Sequence, residues 1–127
     1  MAPGKYNFTI YQGSTFNLRL KYQDNEGDPI DLTGYKARMQ IREDYGKPIL
    51  KELTTENGLI DLNIETGEIE LNIPASETEQ LKFTKAICDL ELYSGDYVDR
   101  VIEGIVTLDR EVTKWVSLLK KRTPLIK

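Results

Sequence analysis

The chain has 127 residues, of which 39% are hydrophobic and 30% are charged, and its formal net charge is −4. This composition and length are typical of one soluble domain with a single core. The sequence has no histidine and a single cysteine, Cys88, which argues against Ser-His or Cys-His nucleophiles, zinc chemistry and an intrachain disulfide. No apolar run reaches the roughly 18 residues of a membrane span, and residues 1–5 lack a signal-peptide pattern. We therefore expect a protein that stays in a cytosol or leaves it by lysis, with no membrane contact.

Alternation of apolar and polar residues with a period of two predicts strands in the first half of the chain. Residues 6–11 and 16–23 alternate in this way, and the second run places Phe16, Leu18 and Leu20 on one face. Residues 24–29 are dense in turn formers and predict a loop. Residues 36–42 give the clearest strand, with the apolar residues at its odd positions inside.

The second half continues with a short strand at residues 49–53 and a hairpin of residues 59–64 and 68–73. Ile60, Leu62 and Ile64 are predicted to face inward on the first arm of that hairpin. Residues 75–83 break the period, and residues 76–79 fit a capping box that starts one or two helical turns. Strands at residues 85–93 and 97–108 follow, and Gly104 is predicted to mark a bulge or a close approach.

Seven to nine strands with a spacing of about 8–12 residues are typical of a β-sandwich. Antiparallel neighbours should dominate because most connections are too short for crossovers. We therefore predict an all-β antiparallel sandwich over residues 1–113, with one short helical turn and a C-terminal arm at residues 114–127.

The arm differs from the rest of the chain in charge. It carries five of the 17 basic residues and no acidic residue, whereas residues 1–113 carry 12 basic and all 21 acidic residues. An acidic body repels nucleic acid, while a basic arm suits an acidic partner surface. The predicted partner-binding residues are Trp115, Leu118, Leu119, Lys120, Lys121 and Arg122.

Two arrangements of this arm stay open. It could pack on its own sandwich as an extra strand or helix at an edge. It could instead bind a neighbour, either with Trp115 as an anchor or as a strand added to the neighbour's sheet.

Several sequence segments resemble a widespread group of small proteins of tailed bacteriophages. They are Gln12-Gly13-Ser14-Thr15-Phe16, Pro29-Ile30-Asp31-Leu32-Thr33-Gly34-Tyr35, Ala37-Arg38-Met39-Gln40-Ile41-Arg42 and, near the end, Glu103-Gly104-Ile105-Val106-Thr107-Leu108 with Glu111-Val112-Thr113. They are similar, more loosely, to the immunoglobulin-like N-terminal domain of phage baseplate upper proteins. The resemblance covers residues 5–113 and implies an immunoglobulin-like sandwich in a neck, tail or baseplate component. It supplies no active-site motif, and the arm after Thr113 departs from it.

Clustered carboxylates are the first candidates for chemistry. Asp24, Glu26 and Asp28 lie in one loop and could bind Ca²⁺, but their spacing does not match an EF-hand and favours a solvated turn. Glutamates near the hairpin and the helical turn could act in glycoside hydrolysis, but the single Trp is in the arm, which favours surface charge. These glutamates are Glu65, Glu68, Glu70, Glu77 and Glu79. We predict no catalytic residue, no metal site and no cofactor.

The other candidates also have structural explanations. Cys88 alternates with apolar neighbours and is predicted to be a buried, inert thiol. Tyr35 is predicted to hold a corner between strands through its phenol, and isolated glycines at positions 13, 34 and 67 to serve turns with positive φ. Outward basic residues could form a stripe that binds nucleic acid or, with Tyr11 and Tyr45, carbohydrate, although neighbouring acids favour a mixed solvated face. The stripe residues are Arg19, Lys21, Lys36, Arg38 and Arg42.

These observations predict a non-enzymatic structural protein of a phage particle. It would be assembled in the host cytoplasm and would connect other virion subunits in multiple copies on a symmetric partner. The alternative is a carbohydrate- or receptor-binding decoration module of a virion. A small hydrolase that uses Glu65 or Glu68 is a third possibility and has the least support.

Overall fold

The computed structural model describes residues 3–113, and nine strands and one helical turn run through them. The elements are β1 (Gly4–Lys5), β2 (Phe8–Tyr11), β3 (Phe16–Lys21), β4 (Lys36–Arg42), β5 (Ile49–Thr54), β6 (Ile60–Asn63), β7 (Glu68–Ile73), α1 (Ala75–Thr78), β8 (Lys85–Ser94) and β9 (Tyr97–Asp109). The strand predicted at residues 36–42 has the bounds of β4. The last two predicted strands are each one residue longer in the structure.

The strands form two sheets that face each other. The larger sheet has the order β9–β8–β4–β5, with β1 and β2 both paired to the outer edge of β9, and the smaller sheet has the order β3–β7–β6. The chain crosses between the sheets after β2, β3, β5 and β7. These crossings give an immunoglobulin-like β-sandwich, which confirms the predicted fold class.

The N-terminal strands pair in a way that the alternation does not indicate. Both β1 and β2 run parallel to β9, with Phe8 opposite Val106 and Ile10 opposite Leu108. Short connections predict antiparallel neighbours, but here the whole sandwich separates the two partners in sequence. The parallel pair is therefore possible because it joins the first and last strands of the described chain.

The core lies between the two sheets and follows the predicted alternation. On β7, Ile69, Leu71 and Ile73 are at most 1% exposed. Their partners on β3 face the same way but are only half-buried, because β3 is an edge strand. Cys88 is 6% exposed among these apolar side chains, as predicted.

The predicted capping box at the helical turn is wrong. Pro74 is the N-cap of α1 and has no side-chain cap, and its carbonyl oxygen accepts the amides of Glu77 and Thr78. The buried Thr78 hydroxyl instead donates to the carbonyl oxygen of Ser14 at 2.8 Å and accepts the Gly13 amide at 3.0 Å. The turn thus anchors the β2–β3 connection, while Leu81 and Phe83 pack into the core as expected.

The predicted inward position of Ile64 is also wrong, since this side chain is 50% exposed. The first arm of the hairpin ends one residue earlier, at Asn63. The Asn63 side-chain oxygen accepts the amides of Glu65 and Thr66, which draws the chain into the turn before Ile64 can face the core.

Gly104 marks a close approach and not a bulge. The bulge of β9 lies at Val101, where the register with β8 shifts. A Cβ atom at Gly104 would overlap the carbonyl group of Tyr6. Only glycine lets the residues between β1 and β2 lie directly against β9.

The described part of the chain ends at Thr113, so the arm at residues 114–127 and its six predicted partner-binding residues lie outside it. Within residues 3–113, no helix is long and apolar enough to cross a membrane.

Candidate functional site

The outer face of the larger sheet is the main candidate surface, and we call it the ladder face. It is built from the outward residues of four neighbouring strands, β1, β9, β8 and β4. Successive side chains of a strand point to opposite faces. On β8, Ala86, Cys88 and Leu90 face the core, so Ile87, Asp89 and Glu91 face outward. The ladder face is therefore a direct product of the alternation in the sequence.

Charged side chains of opposite sign alternate across the ladder face. Lys5 on β1 pairs with Glu103 on β9. Arg100 Nη1 lies 3.5 Å from Glu103 Oε1, and Arg100 Nε lies 3.7 Å from Asp89 Oδ2 on β8. These contacts tie three strands together at the centre of the surface.

A second pair continues the row onto β4. Arg38 Nε lies 2.8 Å from Glu91 Oε1, and the Arg38 guanidinium sits 4.4 Å from the centroid of the Tyr93 ring. The Arg38 side chain is held between a carboxylate and an aromatic face, which orients it even though it is 40% exposed. Exposed pairs of this kind each contribute about 0.2–1 kcal/mol, so their main effect is to fix the shape of the surface.

The two central carboxylates differ in their protonation behaviour. The hydrogen bond from Lys5 lowers the pKa of Glu103. Partial burial raises the pKa of Asp89, and the nearby carboxylates of Glu91 and Glu103 raise it further, against the opposing charge of Arg100. Of these two carboxylates, Asp89 is thus held less firmly in its charged form.

A shallow concavity of about 550 Å³ lies beside this row. Its walls combine charged residues of the ladder with Gln40, Tyr45, Ile87 and Ile105. Tyr45 is 86% exposed and Ile105 is 43% exposed. Exposed aromatic and apolar groups beside arginines are a composition found in protein–protein interfaces.

The residues before β2 shape one side of the concavity. The Tyr6 amide donates to the carbonyl oxygen of Glu103 at 3.0 Å, and the Asn7 side chain accepts the Ile105 amide at 2.8 Å. These bonds hold Lys5 and Asn7 at the rim, where Gly104 leaves room for the backbone. The alternation of the sequence does not predict this contribution, although the isolated Gly104 is its one visible signal.

The predicted basic stripe is not a single surface. Arg19 and Lys21 lie on β3 of the smaller sheet, whereas Lys36, Arg38 and Arg42 lie on β4 of the larger sheet. Three of these residues pair with carboxylates, in the pairs Arg19–Glu70, Lys36–Glu56 and Arg38–Glu91. The stripe fails because the chain crosses from one sheet to the other between β3 and β4.

Asp24, Glu26 and Asp28 do lie together, with carboxylate oxygens within 4.8 Å of one another, and all three are exposed. Asp24 Oδ1 accepts the backbone amides of Glu26 and Asp28, both at 2.9 Å. Asp24 therefore organises its own loop, which agrees with the predicted solvated turn.

The candidate catalytic glutamates lie opposite basic residues on the surface or are exposed to solvent. Glu70 pairs with Arg19 and accepts a hydrogen bond from Asn17, Glu68 lies opposite Lys21, and Glu77 pairs with Lys51. Glu65 is exposed in the turn after β6. The structure does not gather these residues in one cleft.

Cys88 and Tyr35 occupy structural positions. Burial raises the pKa of the Cys88 thiol to about 12, which removes its nucleophilic form at neutral pH. The Tyr35 ring meets the Tyr97 ring edge-on, with centroids 6.3 Å apart. Beside this pair the Tyr22 hydroxyl donates to Asp99 Oδ2 at 2.6 Å, a link between the sheets that the sequence does not indicate.

Comparisons with known proteins find distant structural likeness only. No protein-family model matches the chain, and no curated protein matches it either. Among solved structures, CopC from Methylosinus trichosporium OB3b is 13% identical with a TM-score of 0.43, and the match covers 91% of each chain. A DUF4784 family protein from Bacteroides caccae is 14% identical with a TM-score of 0.40, over 83% of this chain and 23% of that one. Extracellular domains 3–5 of Drosophila OTK are 18% identical with a TM-score of 0.33, over 87% of this chain and 33% of that one.

Proposed function

We propose that the protein is a structural subunit of a bacteriophage particle, a neck, tail or baseplate component that connects neighbouring virion proteins. The contact surface is the ladder face. The protein acts by surface complementarity and not by catalysis, is assembled in the host cytoplasm, and is present in several copies on a symmetric partner. The sequence resemblance of residues 5–113 to small phage proteins supports the setting.

The observation that carries the proposal is the composition of the ladder face. Arg38, Arg100, Tyr45 and Ile105 combine the residue types that contribute most to interface energetics with exposed apolar area. The ion pairs across the strands hold the charged groups in place before a partner arrives, which lowers the entropic cost of binding.

Particle composition tests this proposal. Mass spectrometry of purified particles should find the wild-type chain. The substitution Ile105→Arg, which puts a charge in the concavity of the ladder face, should prevent its incorporation. Ile64→Arg is the matched control, because Ile64 is similarly exposed but lies in the turn between β6 and β7 of the smaller sheet, and this variant should be incorporated normally.

Two results would contradict the proposal. Particles that lack the wild-type chain would rule out a virion component. Normal incorporation of Ile105→Arg would show that the ladder face is not the contact surface.

A carbohydrate-binding decoration module is the second candidate, and the concavity favours it. Tyr45 offers an exposed ring at the rim, and Gln40, Asn7 and Asp89 supply polar groups beside it. Binding of the whole protein to a glycan array, abolished in Tyr45→Ala and kept in Tyr11→Ala, would support this function. Tyr11 is the control because it is also an exposed tyrosine, 58% accessible, and does not line the concavity.

A further inference from the structure

The edge of β3 offers unpaired main-chain groups. Among the described residues β3 pairs only with β7. The Tyr22 amide donates to the carbonyl oxygen of Gly67, in the register that continues the β3–β7 ladder. Since bonded positions alternate along an antiparallel strand, the main-chain groups of Asn17, Arg19 and Lys21 point to the open edge.

The same edge leaves apolar side chains incompletely covered. Phe16, Leu18 and Leu20 are half-buried, whereas their cross-strand partners on β7 are almost completely buried. The Phe8 ring of β2 stacks on Phe16 at 5.2 Å and closes only the beginning of the strand. An exposed, partly apolar strand edge is a template for a further strand.

β3 ends at a strongly acidic part of the surface, which we call the acidic loop end. It consists of residues 22–35, 64–67 and 95–96, joined by the Tyr22–Gly67 backbone bond and the Tyr35–Tyr97 ring contact. These segments contain no basic residue. Their acidic residues are Asp24, Glu26, Asp28, Asp31, Glu65 and Asp96.

The described chain ends near the opposite end of β3. The Glu111 amide donates to the side-chain oxygen of Gln12 at 3.1 Å, and Gln12 begins the turn that leads into β3. The last described residues, 112 and 113, therefore follow a residue that is bonded to the turn before β3. From there, an extended segment of six or seven residues spans the whole strand, at about 3.3 Å per residue.

The order of residues in the arm matches the order of surfaces along β3. Residues 115–119 include four apolar side chains, and residues 120–122 are all basic. We propose that residues 115–122 dock along the open edge of β3 of their own chain, parallel to it, as a fourth strand of the smaller sheet. Alternate side chains of residues 115–119 then cover the half-buried face of β3, and Lys120, Lys121 and Arg122 reach the acidic loop end. This inference does not rest on the proposed function.

Hydrogen exchange of the full wild-type chain tests the docking without any substitution. The amides of Asn17, Arg19 and Lys21 should exchange at least about tenfold more slowly than those of exposed loops, because a docked strand would bond them. Rapid exchange of all three amides would overturn the proposal. Protection that rises with protein concentration, together with a dimer in analytical ultracentrifugation, would also overturn it and would assign the edge to a second copy.

Fluorescence gives an independent test, because Trp115 is the only tryptophan of the chain. Arg19→Pro should remove one outward amide and block the docked strand, while leaving the β3–β7 bonds in place. Its Trp115 emission should shift to the red and be quenched more readily than in the wild type. Arg19→Ala, which loses the same Arg19–Glu70 pair but keeps the amide, should match the wild type. Equal Trp115 emission in all three proteins would overturn the proposal.

Discussion

β9 and β3 differ in whether another strand covers their outer edge. β9 in the larger sheet is covered by β1 and β2, so that Val106 and Leu108 are at most 4% exposed. β3 in the smaller sheet has no such cover among the described residues, and its core-facing side chains stay half-buried. The difference shows that a strand with perfect alternation can still have incompletely buried apolar side chains. Their burial also depends on whether a neighbouring strand covers the outer edge.

The largest expected effect compares an interior strand with an open edge. Leu71 and Leu18 lie directly opposite each other on β7 and β3, but only Leu71 is completely buried. Leu71→Ala should lower the free energy of unfolding by about 3 kcal/mol, and Leu18→Ala by roughly half as much, because fewer packed atoms are lost at the edge. Urea denaturation of both variants measures the two losses. Equal losses would mean that the two strands do not differ in packing.

The cover over β9 can be broken at Gly104. Gly104→Ala places a methyl group against the Tyr6 carbonyl, so β1 and the residues after it must move away from β9. We expect a loss of about 2 kcal/mol in the free energy of unfolding. Gly4→Ala on the neighbouring strand is the control, since its Cβ would lie at an ordinary 3.6 Å from the Val101 oxygen. If both variants melt like the wild type, the close approach at Gly104 does not hold the two strands together.

The smallest effect concerns Cys88 on β8. It lies directly opposite Gly104 of β9, the strand that β1 and β2 cover. Burial raises the thiol pKa from an ordinary value near 9 to about 12. The unfolded chain therefore loses this proton at a lower pH than the folded protein, and the associated stability is full below pH 9 and declines as the pH rises toward 12. The urea midpoint of the wild type should fall between pH 8 and pH 10 more than that of Cys88→Ala. Parallel curves for the two proteins would show that the thiol is not shielded.

Much of the fold is predictable from the sequence, because a strand with one buried and one exposed face has alternating apolar and polar residues. The bounds of β4, the long β8–β9 hairpin and the buried positions of Cys88, Leu81 and Phe83 all follow from local alternation and turn residues. The predicted capping box and the predicted inward position of Ile64 were wrong for a local reason. Pro74 and Asn63 bond to the backbone first, and they decide where the helical turn begins and where the strand ends.

The candidate site is less predictable. Lys5, Arg100 and Glu103 are ordinary surface charges in the sequence, and Lys5 joins their row only because β1 pairs with β9. The basic stripe failed for the complementary reason, since β3 and β4 are neighbours in the chain but belong to different sheets. Charge patterns along a sequence do not show which strands will be adjacent.

The sequence by itself determined the β-sandwich class, the alternation of buried and exposed faces, the inert cysteine and the separation of an acidic body from a basic arm. Each of these depends on residue type and short-range spacing, which the chain carries locally. Only the tertiary structure decided the parallel cover of β9, the Lys5–Glu103 and Arg38–Glu91 pairs of the ladder face and the open edge of β3. Those features depend on pairings between residues about 50–100 positions apart, and such pairings are selected by the packing of the whole core.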